Sequence, residues 1–216
     1  MSDKKVRQFT GKDIDVFWDT RLCIHISECV QAKGDLFIAR REPWCVPDHA
    51  SKSEVRDIVE RCPSGALTYH DKTAGPEQSL PENTVSVAYN GPLFVSGDLA
   101  IEGAPKDMPG VRFRAALCRC GHSKSKPFCD NSHEKAGFRD FGSVGERSTE
   151  SGPTGGRLAI KPLKDGPLLL SGHVTIKAAS GRKAWYGNQA ALCRCGHSKN
   201  KPFCDGSHAG VGFKSD

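Results

Sequence analysis

The stretch "CRCGHSKSKPFCDNSH" runs from Cys118 to His133, and "CRCGHSKNKPFCDGSH" runs from Cys193 to His208. Fourteen of the sixteen positions are identical, and the second copy begins 75 residues after the first. Each copy has three cysteines and one histidine at the spacing C-x-C-x8-C-x3-H. Thiolate and imidazole are the ligands that zinc and iron take in proteins. The sequence therefore predicts two metal sites, one in each copy.

The repeat extends beyond the cysteines, since "GPLFVSGDLAI" (Gly91–Ile101) matches "GPLLLSGHVTI" (Gly166–Ile176) at the same offset. Alternation of apolar residues with Ser and Gly is typical of half-buried strands. Each unit is therefore predicted to be a small, mostly-β module that ends in the ligand loop. The predicted strands are Thr84–Tyr89, Leu93–Ile101 and Arg112–Leu117 in the first copy, and Leu158–Pro162, Leu168–Ile176 and Trp185–Leu192 in the second.

The first 80 residues have a different pattern and are predicted to form a separate α+β domain. "DIDVFWD" alternates like a strand, and Ser51 with Glu54 forms a capping box before a helix that Pro63 ends. We expect an N-terminal domain at 1–80, a first module at 84–141, a Gly- and Ser-rich linker at 142–156 and a second module at 157–216. Two tandem copies are expected to pack as a pseudo-two-fold pair within a monomer.

Composition favours metal ligation by the cysteines over disulfide bonds. The chain of 216 residues has ten cysteines, and it starts with "MSDKKVRQFTGKDIDVFWD", which has neither the apolar segment of a secretory signal nor the composition of a transit peptide. No apolar run is long enough to cross a bilayer, so no membrane contact is expected. A cytoplasmic location is therefore expected, and disulfides are rare in that compartment.

The net charge of +6 is unevenly distributed. Residues 1–80 have 12 basic and 13 acidic side chains, whereas residues 81–216 have 19 and 12. A basic half is compatible with nucleic-acid binding, but no aromatic platform or recognition helix accompanies the lysines. We expect no nucleic-acid partner, and we attribute the excess charge to a solvated surface that offsets bound anionic groups.

The residues around the ligands decide between zinc and iron. The motif resembles the CDGSH iron–sulfur domain of the mitoNEET-like family, C-x-C-x2-S/T-x3-P-x-C-D-G-S/T-H. Both copies fit it, except that Asn131 stands where the second copy has Gly206. Asn tolerates left-handed backbone geometry better than most residues, so the turn is expected to survive. The alternative is a structural zinc site, because zinc accepts three cysteines and one histidine.

The resemblance implies two [2Fe–2S] clusters, each held by three cysteines and one histidine. In each copy the first two cysteines would hold the buried iron, and the third cysteine and the histidine would hold the outer iron. The implied metal ligands are Cys118, Cys120, Cys129 and His133 in the first copy, and Cys193, Cys195, Cys204 and His208 in the second.

Three further cysteines suggest an additional cluster in the N-terminal domain. Cys23 and Cys29 have the spacing C-x5-C, and Cys62 precedes a proline as the remote ligand of a bacterial ferredoxin does. The middle ferredoxin cysteine is replaced by Ile26, so the segment resembles a divergent single-cluster ferredoxin-like domain. Three cysteines suit [3Fe–4S], or [4Fe–4S] with a non-cysteine ligand such as His25. The alternative is a scaffold without a cluster.

The function expected from these features is non-enzymatic, since no nucleotide-binding loop and no Ser-His-Asp or paired-carboxylate arrangement is evident. We expect electron transfer, or storage and transfer of iron–sulfur clusters, with a redox partner protein or a cluster acceptor protein. The alternatives are a structural zinc-binding interaction protein and an electron-wiring subunit of an oxidoreductase. The remaining cysteine, Cys45, is expected to be a small buried residue, and His122 and His197 are expected at the surface.

Overall fold

The computed structural model of the protein describes residues 5–145, 148 and 152–215. The fold is α+β and mostly β, because eleven strands form two sheets in this part of the chain whereas its α-helices are short. Four strands form an antiparallel N-terminal sheet, and the other seven form a second sheet that contains both repeats. No helix in the described ranges is long and apolar enough to cross a membrane.

The N-terminal sheet has the strand order β1-β2-β3-β4. These strands are β1 (Val6–Phe9), β2 (Ile14–Asp19), β3 (Leu67–Asp71) and β4 (Gly75–Pro76). Strand β2 lies in the middle and alternates between buried and partly exposed positions, as the sequence pattern predicted. A short helix, α1 (Glu28–Gln31), follows β2 along the chain.

Helix α2 (Lys52–Glu60) covers one face of this sheet. The predicted capping box is confirmed, since Glu54 N donates to Ser51 Oγ at 3.3 Å and Ser51 N donates to the Glu54 carboxylate at 2.8 Å. The apolar face of the helix packs against the sheet with Cys45, which is buried as expected. The buried residues of that face are Val55, Ile58 and Val59.

The first module contributes four short strands, β5 (Thr84–Val87), β6 (Leu93–Ser96), β7 (Asp98–Ile101) and β8 (Arg114–Leu117). A 3-10 turn, Pro109–Arg112, precedes β8, so this strand begins later than predicted. Strand β6 pairs antiparallel with β5 on one side and with β8 on the other.

The predicted single strand from Leu93 to Ile101 is wrong, because the chain breaks it at Gly97. Gly97 has a φ of +138°, and a Cβ placed there would lie 2.0 Å from Asn83 Oδ1. The same Asn83 oxygen accepts a hydrogen bond from Asp98 N at 3.0 Å. Asn83, which lies outside this strand, thus accepts the hydrogen bond that a neighbouring strand would otherwise accept. The chain changes direction at Gly97, and β7 pairs with a different strand from β6.

The second module has three longer strands, β9 (Arg157–Pro162), β10 (Leu168–Lys177) and β11 (Lys183–Leu192). Strand β10 pairs antiparallel with β9 over its first half and with β11 over most of its length. Its register with β11 shifts between Ser171 and Val174, where Gly172 has a φ of +123°. The equivalent of the Gly97 break is therefore a bulge in one continuous strand.

Strands of the two modules pair with each other in one sheet. Strand β7 pairs parallel with β9, with Ala100 opposite Ala159. Strand β10 pairs parallel with β5, with Thr175 opposite Thr84. By the 75-residue offset of the repeat, Ala100 is equivalent to Thr175 and Thr84 is equivalent to Ala159. The two parallel pairings are therefore equivalent and have the same register.

The segment predicted as a linker, residues 142–156, lies partly outside the described residues. Where the structure describes it, Val144 is buried in the core that the two modules share. The carbonyls of Thr154 and Gly156 accept hydrogen bonds from Asn83 N at 2.8 Å and from Asn83 Nδ2 at 2.9 Å. The described parts of this segment also contact the second module, since Ala179 N donates to the Gly142 carbonyl at 2.9 Å and the Tyr186 hydroxyl donates to the Pro153 carbonyl at 2.6 Å.

The N-terminal domain packs tightly on the first module. Arg114 of β8 reaches into it, with Nε donating to the Cys62 carbonyl at 2.8 Å and Nη2 donating to the Leu67 carbonyl at 2.9 Å. The third contact of Arg114 is a buried ion pair with Glu77. Gly65 and Gly110 bring the two backbones so close that a Cβ on Gly110 would lie 1.8 Å from the Gly65 carbonyl oxygen. The cysteine-containing turn 62–66 is therefore held by the first module.

Candidate metal centres

Each ligand loop begins at the end of a strand and folds back on it. Cys118 N donates to the Pro127 carbonyl at 2.9 Å, and Leu117 forms a bridge with Phe128. In the second loop Cys193 N donates to the Pro202 carbonyl at 2.8 Å. These bonds bring the third cysteine of each motif back to the first two, and a one-turn helix then presents the histidine. The one-turn helices are α3 (Ser132–Lys135) and α4 (Ser207–Gly210).

The predicted ligands come together in pairs. The Sγ atoms of Cys118 and Cys120 are 3.7 Å apart, and those of Cys193 and Cys195 are also 3.7 Å apart. We call these the Cys–Cys pairs. The Sγ of the third cysteine lies close to Nδ1 of the histidine, at 3.5 Å for Cys129 and His133 and at 3.4 Å in the second module, and these are the Cys–His pairs.

The distances within the pairs suit two ligands of one tetrahedral metal. Two sulfurs about 2.3 Å from such a metal are about 3.8 Å apart, and a sulfur and an imidazole nitrogen are about 3.6 Å apart. No group of three or more potential ligands converges on one point anywhere in the described residues. Each motif therefore provides two separate pairs of ligands, and its four ligands do not surround one metal position.

The sulfur atoms accept hydrogen bonds from the backbone of the loops. His122 N and Asn131 N donate to the sulfurs of Cys120 and Cys129, each at 3.4 Å. The second loop repeats both bonds at 3.5 Å, from His197 N to Cys195 and from Gly206 N to Cys204. Such bonds stabilise thiolates and tune the potential of a metal that they hold. His122 and His197, which follow the glycine of each loop, are exposed, as expected.

The carboxylates in both motifs order the loops. Asp130 accepts hydrogen bonds from Ser132 N at 3.0 Å and from Lys124 N at 2.8 Å. Asp205 has the same two contacts, from Ser207 N at 3.0 Å and Lys199 N at 2.8 Å. The hydrogen bond with Ser207 is the main cause that lowers the pKa of Asp205. These aspartates bind the start of the histidine-bearing turn and therefore have a structural role.

The thiols of the first motif are strongly perturbed. The contact with Cys120 lowers the pKa of Cys118, because the neighbouring thiol donates a hydrogen bond to the Cys118 thiolate. Burial raises the pKa of Cys129 to about 11. Bound metal would displace the protons from both, because a coordinating thiol is deprotonated.

Two buried arginines support the loops, and sequence reasoning did not assign them a role. Arg119 Nε donates to the Gly91 carbonyl at 2.8 Å, and Arg194 Nε donates to the Gly166 carbonyl at 2.9 Å. Arg119 also forms an ion pair with Asp140 at 2.5 Å. The sequence feature that could have identified them is their shared position between the first two cysteines of each motif. A buried cation close to the thiolates offsets the negative charge of a metal–sulfur centre.

The two ligand loops contact each other through their glycines. Gly121 has a φ of +86°, and a Cβ there would lie 2.8 Å from the Cys195 carbonyl oxygen. Gly196 has a φ of +84°, and its Cβ would lie 2.8 Å from the Cys120 carbonyl oxygen. Each Cys–Cys pair therefore lies next to the contact between the two ligand loops.

The three remaining predicted site residues line one cavity of about 420 Å³ in the N-terminal domain. Cys23, Cys29 and Cys62 all face it, and so does His25, whose Nδ1 is 3.9 Å from Cys23 Sγ. Burial and the nearby Cys62 thiol raise the pKa of Cys29 to about 11. Three thiols and an imidazole in one largely apolar cavity fit the donor set of an iron–sulfur cluster.

Comparison with known families gives matches in the N-terminal domain and in both modules. Residues 9–72 match the family described as "Divergent 4Fe-4S mono-cluster". Residues 90–134 and 165–209 each match the family described as "Iron-binding zinc finger CDGSH type". The chain thus contains two tandem CDGSH domains after a divergent 4Fe–4S mono-cluster domain. It is thus an iron–sulfur protein.

Two curated relatives are similar to part of the chain. The protein named "Uncharacterized protein YjdI" from Escherichia coli strain K12 is 41% identical over 70 residues, which is 32% of this chain and 92% of the relative. The protein of the same name from Escherichia coli O157:H7 gives the same values. No solved structure matches the chain.

Proposed function

We propose that the protein binds two [2Fe–2S] clusters and acts in electron transfer or in storage and transfer of such clusters. In this proposal the Cys–Cys pair of each module, Cys118 with Cys120 or Cys193 with Cys195, holds the inner iron. The Cys–His pair, Cys129 with His133 or Cys204 with His208, holds the outer iron. Each cluster, when bound, supplies one-electron chemistry that needs no substrate pocket.

The observation that carries the proposal is the separation of each ligand set into two close pairs. A zinc ion needs all four ligands around one point, and the described residues contain no such convergence. Two irons joined by sulfide need two separate pairs of protein ligands, and each pair has the spacing of one tetrahedral corner. The geometry therefore favours a binuclear cluster over the structural zinc alternative.

We further propose that the modules form a pseudo-two-fold pair within a monomer. The reciprocal parallel pairings, β7 with β9 and β10 with β5, support this arrangement because they have one register. The glycine contacts between the loops support it as well, since both close approaches are 2.8 Å. One chain would thus supply both halves of a shared core, without a second copy.

A third cluster in the N-terminal domain is also part of the proposal, with Cys23, Cys29 and Cys62 as ligands. The shared cavity supports it, and His25 is the nearest candidate for a fourth ligand of a [4Fe–4S] cluster. With three cysteines alone, a [3Fe–4S] cluster is the alternative. We propose a non-enzymatic role in which a redox partner or a cluster acceptor protein docks on the chain.

The visible absorption spectrum of the purified full chain tests the proposal. Iron–sulfur protein is red-brown and bleaches when dithionite reduces it, whereas zinc protein is colourless. We expect a reversible change in the [2Fe–2S] bands on reduction and reoxidation by air. A colourless protein that contains stoichiometric zinc would contradict the proposal.

A further inference from the structure

The two Cys–His pairs have different surroundings although their motifs are nearly identical. Cys129 is 5% exposed, whereas the equivalent Cys204 is only half-buried. Asn131 next to the first pair is half-buried, whereas Gly206 next to the second is exposed. Something therefore covers the first pair and leaves the second open.

The cover is the cysteine-containing loop of the N-terminal domain. The Ile24 side chain is buried and packs against Ala116 and Cys129, with Phe94 at the edge of the contact. In the second module the equivalent of the buried Ala116 is Ala191, which is only half-buried, whereas Phe94 and its equivalent Leu169 are both half-buried. The surface that Ile24 covers on one module is thus partly open on the other.

Asn131 fixes this cover in place. Its Nδ2 donates a hydrogen bond to the Ile24 carbonyl at 2.6 Å, across 107 positions of sequence. Asn131 has a φ of +65° and Gly206 a φ of +87°, so both hold the same left-handed turn. Asn131 is one of the two positions at which the motifs differ, and glycine has no side chain with which to make this bond.

The imidazole of His133 faces the N-terminal domain as well. It lines a cleft of about 400 Å³ that Ile24, His25 and Ile26 also line. A folded partner protein is much larger than this cleft. The segment 24–26 therefore lies beside His133 and limits how closely a folded protein can approach it along this cleft.

We propose that the N-terminal domain covers the Cys–His pair of the first module, and that exchange with a partner proceeds through the Cys–His pair of the second. Asn131 is then a positioning residue that holds Ile24 over Cys129. This inference rests on the proposed iron–sulfur function and adds a division of roles between the modules. The first module retains its cluster, and the second is the site of exchange.

Release of iron to a chelator tests the inference on the full chain. With excess ferrozine at neutral pH, we expect the visible absorption of the two CDGSH clusters to decay in a fast and a slow phase. The double variant Cys193→Ser with Cys204→Ser removes the second cluster and should leave the slow phase. The variant Cys118→Ser with Cys129→Ser should leave the fast phase.

A matched pair of substitutions tests the role of Asn131. Asn131→Gly copies the second module, and loss of one buried hydrogen bond of about 1 kcal/mol should accelerate the slow phase about fivefold. Gly206→Asn copies the first module and should leave the fast phase within about twofold of wild type, because a Cβ placed at Gly206 would have no atom of the described residues within 4 Å. Ile24→Ser removes the apolar cover and should accelerate the slow phase, as Asn131→Gly does.

The possible results distinguish a failure of the N-terminal cover from a failure of the proposed iron–sulfur function. Equal release rates from the two single-cluster variants, or a slow phase that Asn131→Gly leaves unchanged, would overturn the inference while the protein is still red-brown. A colourless protein would overturn the proposed function and the inference together. If Gly206→Asn slows the fast phase as much as Asn131→Gly accelerates the slow one, the asparagine acts within its own loop and the N-terminal cover is refuted.

Discussion

Removal of the Arg114 side chain should destabilise the contact between the N-terminal domain and the first module. Arg114 and Glu77 form a buried ion pair, with side chains 4% and 1% exposed. The variant Arg114→Ala leaves the Glu77 carboxylate buried without its partner, and such a loss costs about 3–5 kcal/mol. The carbonyls of Cys62 and Leu67 lose a charged donor as well. We expect the total cost to lie in the same range, because these contacts form one network.

The assay is urea unfolding followed by tryptophan fluorescence, since Trp18 and Trp44 lie in the N-terminal domain. At about 2 kcal/mol per molar urea, the midpoint for Arg114→Ala should fall by about 2 M. The matched control is Arg157→Ala, which removes an ion pair with Asp98 whose side chains are 57% and 37% exposed. That pair is worth less than about 1 kcal/mol, so the control should move the midpoint by less than about 0.5 M.

A double variant separates the ion pair from general packing. Replacing Arg114 and Glu77 together by leucine removes both buried charges, and such replacements are often neutral. We expect the double variant to regain most of the stability that Arg114→Ala loses. If Arg114→Ala and Arg157→Ala shift the midpoint equally, the buried pair does not hold the domains together, and the reasoning is refuted.

The remaining predictions concern the N-terminal domain and the size of the particle. Replacing Cys23, Cys29 and Cys62 by serine should remove any [3Fe–4S] or [4Fe–4S] signal in electron paramagnetic resonance and leave the [2Fe–2S] spectrum unchanged; a changed [2Fe–2S] spectrum would show that the sites are not independent. Hydrogen bonds from Thr73 lower the pKa of Asp71, so its stabilising effect is complete above about pH 4 and is lost as the pH falls further. Asp71→Asn should therefore lower the urea midpoint at pH 7 and flatten its dependence on pH below about 4. Sedimentation should give a mass near 23.4 kDa, and a mass near twice that value would favour an ordinary dimer.

The ligand loops and the capped helix could be predicted because their signals are local. The spacing of Cys118, Cys120, Cys129 and His133 lies within sixteen residues, and the Ser51 cap lies within four. The cysteines of the N-terminal domain could be singled out because ferredoxin spacing is partly retained. For the ligand loops and the helix cap a short segment contains the whole pattern, whereas the N-terminal pattern also needs the remote Cys62.

The pairing of strands across modules could not be predicted from the sequence. Strand β7 pairs with β9, and β5 pairs with β10, across long stretches of chain that have no local signature. The break at Gly97 depends on Asn83, which comes from another strand end, so the alternating pattern suggested one continuous strand.

The role of Asn131 was also hidden in the sequence, where it is a tolerated departure from glycine. Its significance depends on Ile24, which lies more than a hundred residues away and has no motif of its own. The buried arginines are similar, because Arg114, Arg119 and Arg194 look like ordinary surface cations in a basic half of the chain. Long-range contacts of polar side chains are the part of the site that a single sequence does not specify.

The central claim is that each motif holds a binuclear iron–sulfur cluster by two separate ligand pairs. Its most direct test is the count of iron, zinc and acid-labile sulfide in the variant with Cys23, Cys29 and Cys62 replaced by serine, because that variant retains the two CDGSH motifs alone. We predict about four iron and four sulfide ions per chain, with no stoichiometric zinc. About two zinc ions per chain without sulfide would contradict the claim, since each motif would then hold one metal in a single four-ligand site.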